Sequence, residues 1–228
     1  MMTDRAIHLE NLEFRWSPSA PPILAIESLS VDKGERVFLQ GPSGGGKSTL
    51  LSLITGVLTP NSGRVEVLGE DIARMRPSGR DRFRADHIGL IFQMFNLVPY
   101  LSVVENVMLP CRFSSLRRGR ATESDAVRLL AHLGLSDPVL LRRQVSDLSV
   151  GEQQRTAAAR ALLGSPEIII ADEPTSALDA DSRDAFIQTL LAECDAQGTT
   201  VLFVSHDAQL ARHFDRAVSL REINGARK

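Results

Sequence analysis

A chain of 228 residues, 43% apolar and 24% charged, can bury a substantial core as one domain or as a domain with a subdomain. Its formal charge of −2 gives no general attraction for nucleic acid or anionic lipid, and no apolar run approaches the roughly 20 residues that span a bilayer. Cys111 and Cys194 lack metal-like spacing and offer no disulfide framework, so both are expected to be buried or inert; with no signal-peptide stretch in MMTDRAIHLE, a cytoplasmic chain is expected.

The first elements are IHLENLEFRW (7–16) and LAIESLSVDKGERVFL (24–39), whose apolar residues alternate with polar ones and are separated by turn residues, the pattern of an antiparallel front layer. RVFLQ (36–40) then starts a different series. It is joined by HIGLIFQ (87–93), EIIIADE (167–173) and TVLFVSH (200–206), continuous apolar runs that each end on polar or charged groups. Such runs predict buried strands of a mainly parallel sheet, with helices between them as crossovers. Ligands of such sheets lie beyond the carboxyl ends of the strands, so Gln40 with its following glycines, Gln93, Asp172 with Glu173, and His206 are expected along one edge. Between these runs, RMRPSGRDRFR (74–84) is basic but broken by Pro and Gly, and reads as a solvated loop. Residues 95–147 are helical in pattern, with Thr122 or Ser124 available to cap TESDAVRLLAHLGL.

Chemistry concentrates at the strand ends. GPSGGGKST matches G-x-x-x-x-G-K-[ST] from Gly41 to Ser48, after an apolar strand and before a helical run. Its glycines let backbone N–H groups approach a β-phosphate, Lys47 neutralises the β and γ groups, and Ser48 offers a hydroxyl to Mg²⁺. IIIADEP places a carboxylate, Asp172, where hydrated Mg²⁺ needs one, and Glu173 where it can orient a water attacking a γ-phosphate or take its proton. Taken with these, the strand-end positions of Gln93 and His206 predict a metal or water contact and a γ-phosphate contact. A second anion-binding helix start is written in DLSVGEQQR (147–155), a serine and a glycine ahead of a helix-forming run.

Together these residues resemble the ATP-binding cassette family. GPSGGGKST, the glutamine of IFQMFNLVPYLSVVENVMLP, LSVGEQQR, IIIADEP, SALD and VSHD occur in family order and spacing over nearly the whole chain. The resemblance implies an α/β P-loop nucleotide-binding domain with a mainly parallel core sheet, an antiparallel β front layer and an inserted α-helical subdomain. It assigns 1–94 and 156–228 to the core with its β layer and 95–155 to the helical signature subdomain. It implies ATP held by Gly41, Pro42, Ser43, Gly44, Gly45, Gly46, Lys47, Ser48 and Thr49, with Gln93 nearby and Trp16 stacked on adenine, Phe14 being the competing aromatic. Ser48, Gln93 and Asp172 would hold Mg²⁺, Glu173 and His206 would be catalytic, and Gln93 would couple the metal site to a membrane partner. Ser149, Gly151 and Glu152 would close over nucleotide held by a second copy, so that a homodimer sandwiches two Mg-ATP.

FNLVPYLSVVENVMLP and GEQQR look most like ATPases of the lipoprotein-releasing and macrolide-exporting branch, which implies separate transmembrane permease subunits, no nucleic acid, and work at the cytoplasmic face of the inner membrane. The chain differs from that branch at Val145, Val150 and Ser176-Ala177; β-branched Val150 restricts the backbone where a signature glycine is usual. A force-transmitting ATPase of the cell-division kind is the alternative. DNA-repair and translation ATPases of the same fold are disfavoured by the single cassette and the lack of a heptad insertion, and a small-molecule kinase has no use for LSVGEQQR. Met94, Phe95, Leu97, Tyr100 and Leu101 are expected to contribute to a docking cleft for the membrane partner or to pack inside the helical subdomain.

Overall fold

A computed structural model describes residues 4–42, 44–176 and 178–227, so Ser43 and Ala177 of the sequence reading lie outside the described residues. In chain order the elements begin β1 (Arg5–Phe14), β2 (Leu24–Asp32), β3 (Arg36–Gln40), α1 (Lys47–Ile54), β4 (Ser62–Val67), β5 (Glu70–Asp71), α2 (Pro77–His87) and β6 (Ile88–Ile91). Five helices follow: α3 (Val103–Phe113), α4 (Ser115–Arg120), α5 (Glu123–His132), α6 (Pro138–Leu141) and α7 (Val150–Leu162). The chain then runs through β7 (Ile168–Asp172), α8 (Ala180–Gln197), β8 (Thr200–Ser205), β9 (Arg216–Ser219) and α9 (Leu220–Ile223). Two compact units divide it, residues 4–84 with 200–227 and residues 85–199.

The first unit carries the antiparallel layer, in the order β2-β1-β4-β5. Alternation in β1 does the work: Ile7, Leu9, Leu12 and Phe14 stand opposite Val31, Leu29, Ile26 and Leu24 of β2, and all eight are buried. The same unit holds β3 between β8 and β9, all parallel, with Val37, Phe38 and Leu39 fully buried. Phe38 and Phe203 lie stacked with centroids 6.3 Å apart, and Phe214 closes the cluster at 5.5 and 5.1 Å. Arginine–carboxylate pairs, Arg36 with Asp215 and Arg216 with Glu35, tie the ends of the strands that the cluster spaces. The Arg36 hydrogen bond holds the Asp215 carboxyl below the usual carboxylate range.

The basic run is not a loop. Pro77 occupies the first position of α2, where its missing N–H costs nothing, and Gly79 is carried within the helix. The run also has a structural task. Arg80 donates to the carbonyls of Gly56 at 3.0 Å and Met75 at 2.9 Å, and Arg84 donates to Thr55 at 3.1 Å. The bonds to Thr55 and Gly56 satisfy carbonyls at the C-terminal end of α1, where a cation also complements the helix dipole.

In the second unit β6 and β7 pair in parallel, and α7 packs against β6, α3, α5 and α8. Ala157, Ala158, Ala159 and Ala161 make the buried face of α7, and their small size lets neighbours approach closely. At Gly89 of β6 a Cβ would lie 2.3 Å from the Ala161 carbonyl oxygen, so only glycine permits that strand–helix contact. Helices α3, α5 and α7 each open with a reciprocal capping box, Ser102 with Glu105, Thr122 with Asp125 and Ser149 with Glu152. Thr122, not Ser124, is therefore the cap of α5. Cys111 and Cys194 are both buried thiols.

Candidate active site

The first unit builds the phosphate loop from the end of buried β3. Gly41 and Gly45 are buried, Pro42, Gly44 and Ser48 are exposed, and Thr49 is half-buried at the start of α1. Gly46 is the N-cap, at φ 97° and ψ 7°, a backbone that demands glycine; a Cβ there would also lie 3.0 Å from Leu24 Cδ2. No side chain caps α1 and no acidic residue stands in its first turn, which leaves the helix start suited to an anion. Lys47 is 7% exposed, and its Nζ donates to the carbonyl oxygens of Gly41 at 2.7 Å and Pro42 at 3.3 Å. The ammonium thus rests on the carbonyls of its own loop.

His206 leaves the same edge. Gln40 stands in register with Ser205, so the phosphate loop and His206 both begin one residue past paired strand ends. His206 is exposed, and the turn behind it is fixed by Ser205 Oγ, which accepts from the Asp207 N–H at 3.2 Å. Trp16, two residues past the buried Phe14, is 63% exposed and meets the Phe14 ring edge to face at 5.1 Å. Phe14 is core; Trp16 is the aromatic with a face to offer.

The second unit brings Gln93, Asp172 and Glu173 to one edge. Ile91 pairs with Ala171, so an exposed amide and two carboxylates emerge within two residues of that register point. Glu173 is 9% exposed and has φ 47°, a left-handed conformation that costs a non-glycine residue on the order of 1–3 kcal/mol. Buried β7 in front of it and the Ser176 N–H bonded to its carbonyl at 3.3 Å hold it there.

Ser149 and Glu152 are occupied with each other. Ser149 Oγ accepts from the Glu152 N–H at 3.4 Å and donates to Glu152 Oε2 at 2.7 Å, and Oε2 also accepts from the Ser149 N–H at 2.7 Å. The Ser149 hydroxyl, then its backbone, hold the Glu152 carboxyl below the usual carboxylate range, with Arg143 and Arg155 adding to the effect. Gly151 follows in the first turn with Arg155 Nη1 as the nearest group, 3.7 Å from where a Cβ would sit, and Val150 is 48% exposed. The turn after Gln93 is bonded to Arg160, which lies about 15 Å further along α7 from this helix start. After Gln93, Phe95 is buried, whereas Met94 and Tyr100 are 82% and 73% exposed, so those two carry the apolar surface of the segment. The sequence reading gives no role to Arg160; its signal is a lone arginine in the apolar run TAAARALL.

The family model described as ABC transporter matches residues 24–176. Among curated relatives, the chain is 41% identical over 206 residues to the uncharacterized ABC transporter ATP-binding protein YbbA of Escherichia coli strain K12, covering 89% of this chain and 87% of YbbA. It is 38% identical over 200 residues to the lipoprotein-releasing system ATP-binding protein LolD of Syntrophotalea carbinolica, covering 88% and 87%. It is 37% identical over 224 residues to the macrolide export ATP-binding/permease protein MacB 2 of Aeromonas hydrophila, covering 97% of this chain but 34% of that one, so the chain spans about a third of the MacB relatives. In three dimensions it is similar to the dimeric ATP-binding cassette MJ0796 in a post-hydrolysis state bound to ADP and Pi, at a TM-score of 0.82, 33% identity and 93% coverage of both chains. With a phosphate loop, a capped LSVGEQQR helix and a strand-end acidic pair in this order, the chain belongs to the ABC transporter family.

Proposed function

We propose that this chain is an ATP-binding and ATP-hydrolysing subunit that dimerises around two Mg-ATP and drives separate membrane permease subunits of the lipoprotein-release or macrolide-export type. The observation that carries this reading is the phosphate loop, a left-handed Gly46 opening an uncapped α1 with Lys47 held among the loop carbonyls. Nucleotide exchanges those carbonyl contacts of Lys47 for phosphate oxygens, and Trp16 receives the adenine. Ser48, Gln93 and Asp172 supply a hydroxyl, an amide and a carboxylate, all hard oxygen donors of the kind Mg²⁺ prefers. Held by these residues, Mg²⁺ would supply charge neutralisation to the phosphates.

Glu173 orients the attacking water and takes its proton, and His206 contacts the γ-phosphate. The left-handed backbone at Glu173 supports this role, since strain of that kind persists where the surroundings fix a working side chain. Residues 95–155 form the segment that faces the permease and carries the signature, with 1–94 and 156–228 as the catalytic core. No helix of the described residues is long and apolar enough to cross a membrane, so in this reading the permease holds the subunit at the cytoplasmic face of the inner membrane.

The test is phosphate release from Mg-ATP by the purified chain, alone and with a co-purified permease. Glu173→Gln is expected to keep ATP binding, slow turnover by about a hundredfold or more, and accumulate a nucleotide-bound dimer on size exclusion. Near-normal turnover would remove Glu173 from the catalytic role. A wild-type chain that releases no phosphate, with or without permease, would sink the whole reading.

A further inference from the structure

Arg160 lies on the buried, alanine-lined part of α7, yet it reaches a backbone turn 64 residues away in sequence. Its Nη1 donates to the Asn96 carbonyl at 2.7 Å and its Nη2 to the Phe95 carbonyl at 2.5 Å. Both acceptors belong to residues in the left-handed region, Phe95 at φ 57° and Asn96 at φ 49°. The left-handed region is unfavourable for a residue with a Cβ, more so for Phe95 than for Asn96, and here two stand in succession with no glycine to relieve them. Local bonds close the turn, from the Phe95 N–H to the Phe92 carbonyl at 2.9 Å and from the Asn96 N–H to the Met94 carbonyl at 2.6 Å. Gln93 and Met94 form the tip of that turn.

The strand that leads into Gln93 is referenced to the same place on α7. Gly89 of β6 packs against the carbonyl of Ala161, the residue next to Arg160, at a distance that excludes any side chain. Entry to Gln93 is thus fixed by close packing on α7 and exit by a guanidinium fork from α7. A planar fork spanning two successive carbonyls is a job for arginine; a lysine ammonium is a single point of charge. Burial pushes the pKa of Arg160 down.

We propose that Arg160 is a positioning residue for Gln93: its fork on the Phe95 and Asn96 carbonyls holds the strained turn that sets where the Gln93 amide stands. The functional consequence rests on the reading of Gln93 as a metal or water contact. Because Arg160 and the Ser149 cap share one helix, the turn that carries Gln93 is tied to the signature segment by a rigid rod.

The experiment compares wild type with Arg160→Ala and Arg160→Lys in the full chain. Hydrogen exchange of the 94–97 amides, read without nucleotide, is expected to quicken about tenfold or more in Arg160→Ala while amides of α1 keep their rates, with Arg160→Lys in between. Turnover should fall about ten- to a hundredfold in kcat with KM for ATP within about twofold, because the amide is misplaced and the phosphate loop is untouched. Methylguanidinium added to Arg160→Ala should restore both slow exchange and turnover, a rescue that a general packing defect would not show. Unchanged exchange at 94–97, exchange that rises equally throughout the chain, or unaltered kcat would each overturn the proposal. If Arg160→Ala does not fold, Arg160→Lys carries the same comparison. A wild-type chain without turnover would defeat the functional reading alone, since the exchange measurement needs no hydrolysis.

Discussion

Trp16 and Phe14 stand two positions apart, and their exposures of 63% and 6% divide two jobs between them. Trp16→Ala is expected to raise KM for ATP roughly tenfold, the worth of one base stacked on an aromatic ring, and to leave the melting temperature nearly unchanged. Phe14→Ala removes a buried ring from the front layer and is expected to cost about 3–5 kcal/mol of stability. ATP-dependence of turnover and thermal melts of both variants separate these outcomes. A large melting loss with unchanged KM in Trp16→Ala would return that residue to the core. The same contrast between chemistry and packing holds at Lys47, whose side chain is buried against its own loop.

Helix starts govern the second unit, and they carry a pH signature. Hydrogen bonds from the Thr122 hydroxyl and then its backbone hold the Asp125 carboxyl below the usual range. A depressed carboxyl contributes stability that is present above its unfolded pKa and is lost as pH falls through its folded pKa. Thr122→Ala, far in sequence from the residues given chemical roles, is expected to lower the melting temperature by a few degrees near neutral pH. The gap to wild type should narrow between about pH 5 and pH 3 as Asp125 protonates, leaving the part due to the hydroxyl that accepts from the Asp125 N–H. A gap equally wide at both ends of that range would show that the carboxylate contributes nothing. The helix starts near Thr122 and at Ser149, like the buried strands that end in polar residues, were legible in the sequence because each is a local pattern of residue types, whereas the box of Ser102 with Glu105 was not read. The helical course of Pro77–His87 was concealed by Pro77 and Gly79, one harmless at a helix start and the other tolerated inside. Left-handed Glu173, Phe95 and Asn96 were not legible at all: no glycine marks them, and what enforces them is long-range, buried β7 in one case and Arg160 in the other.

For the whole molecule, the arrangement of LSVGEQQR argues for a second copy. The Ser149 cap closes on its own Glu152, and it lies about 15 Å along α7 from the helix turn that grips the Gln93 loop. In the proposed reading this helix start meets nucleotide held by another chain. Lys47→Ala removes the phosphate-loop cation, and Ser149→Arg both destroys the cap and blocks the approach. Each variant paired with itself is expected to build no working site. In a mixed dimer with shared sites, both lesions fall into one site and leave the other complete, so a single occluded nucleotide should be recovered per dimer. If each chain instead builds its site alone, both sites stay damaged and none is recovered. Occlusion is the readout to use, because a dimer with one good site can close and still hydrolyse slowly. Mixed dimers that assemble and occlude no nucleotide would rule out the shared site.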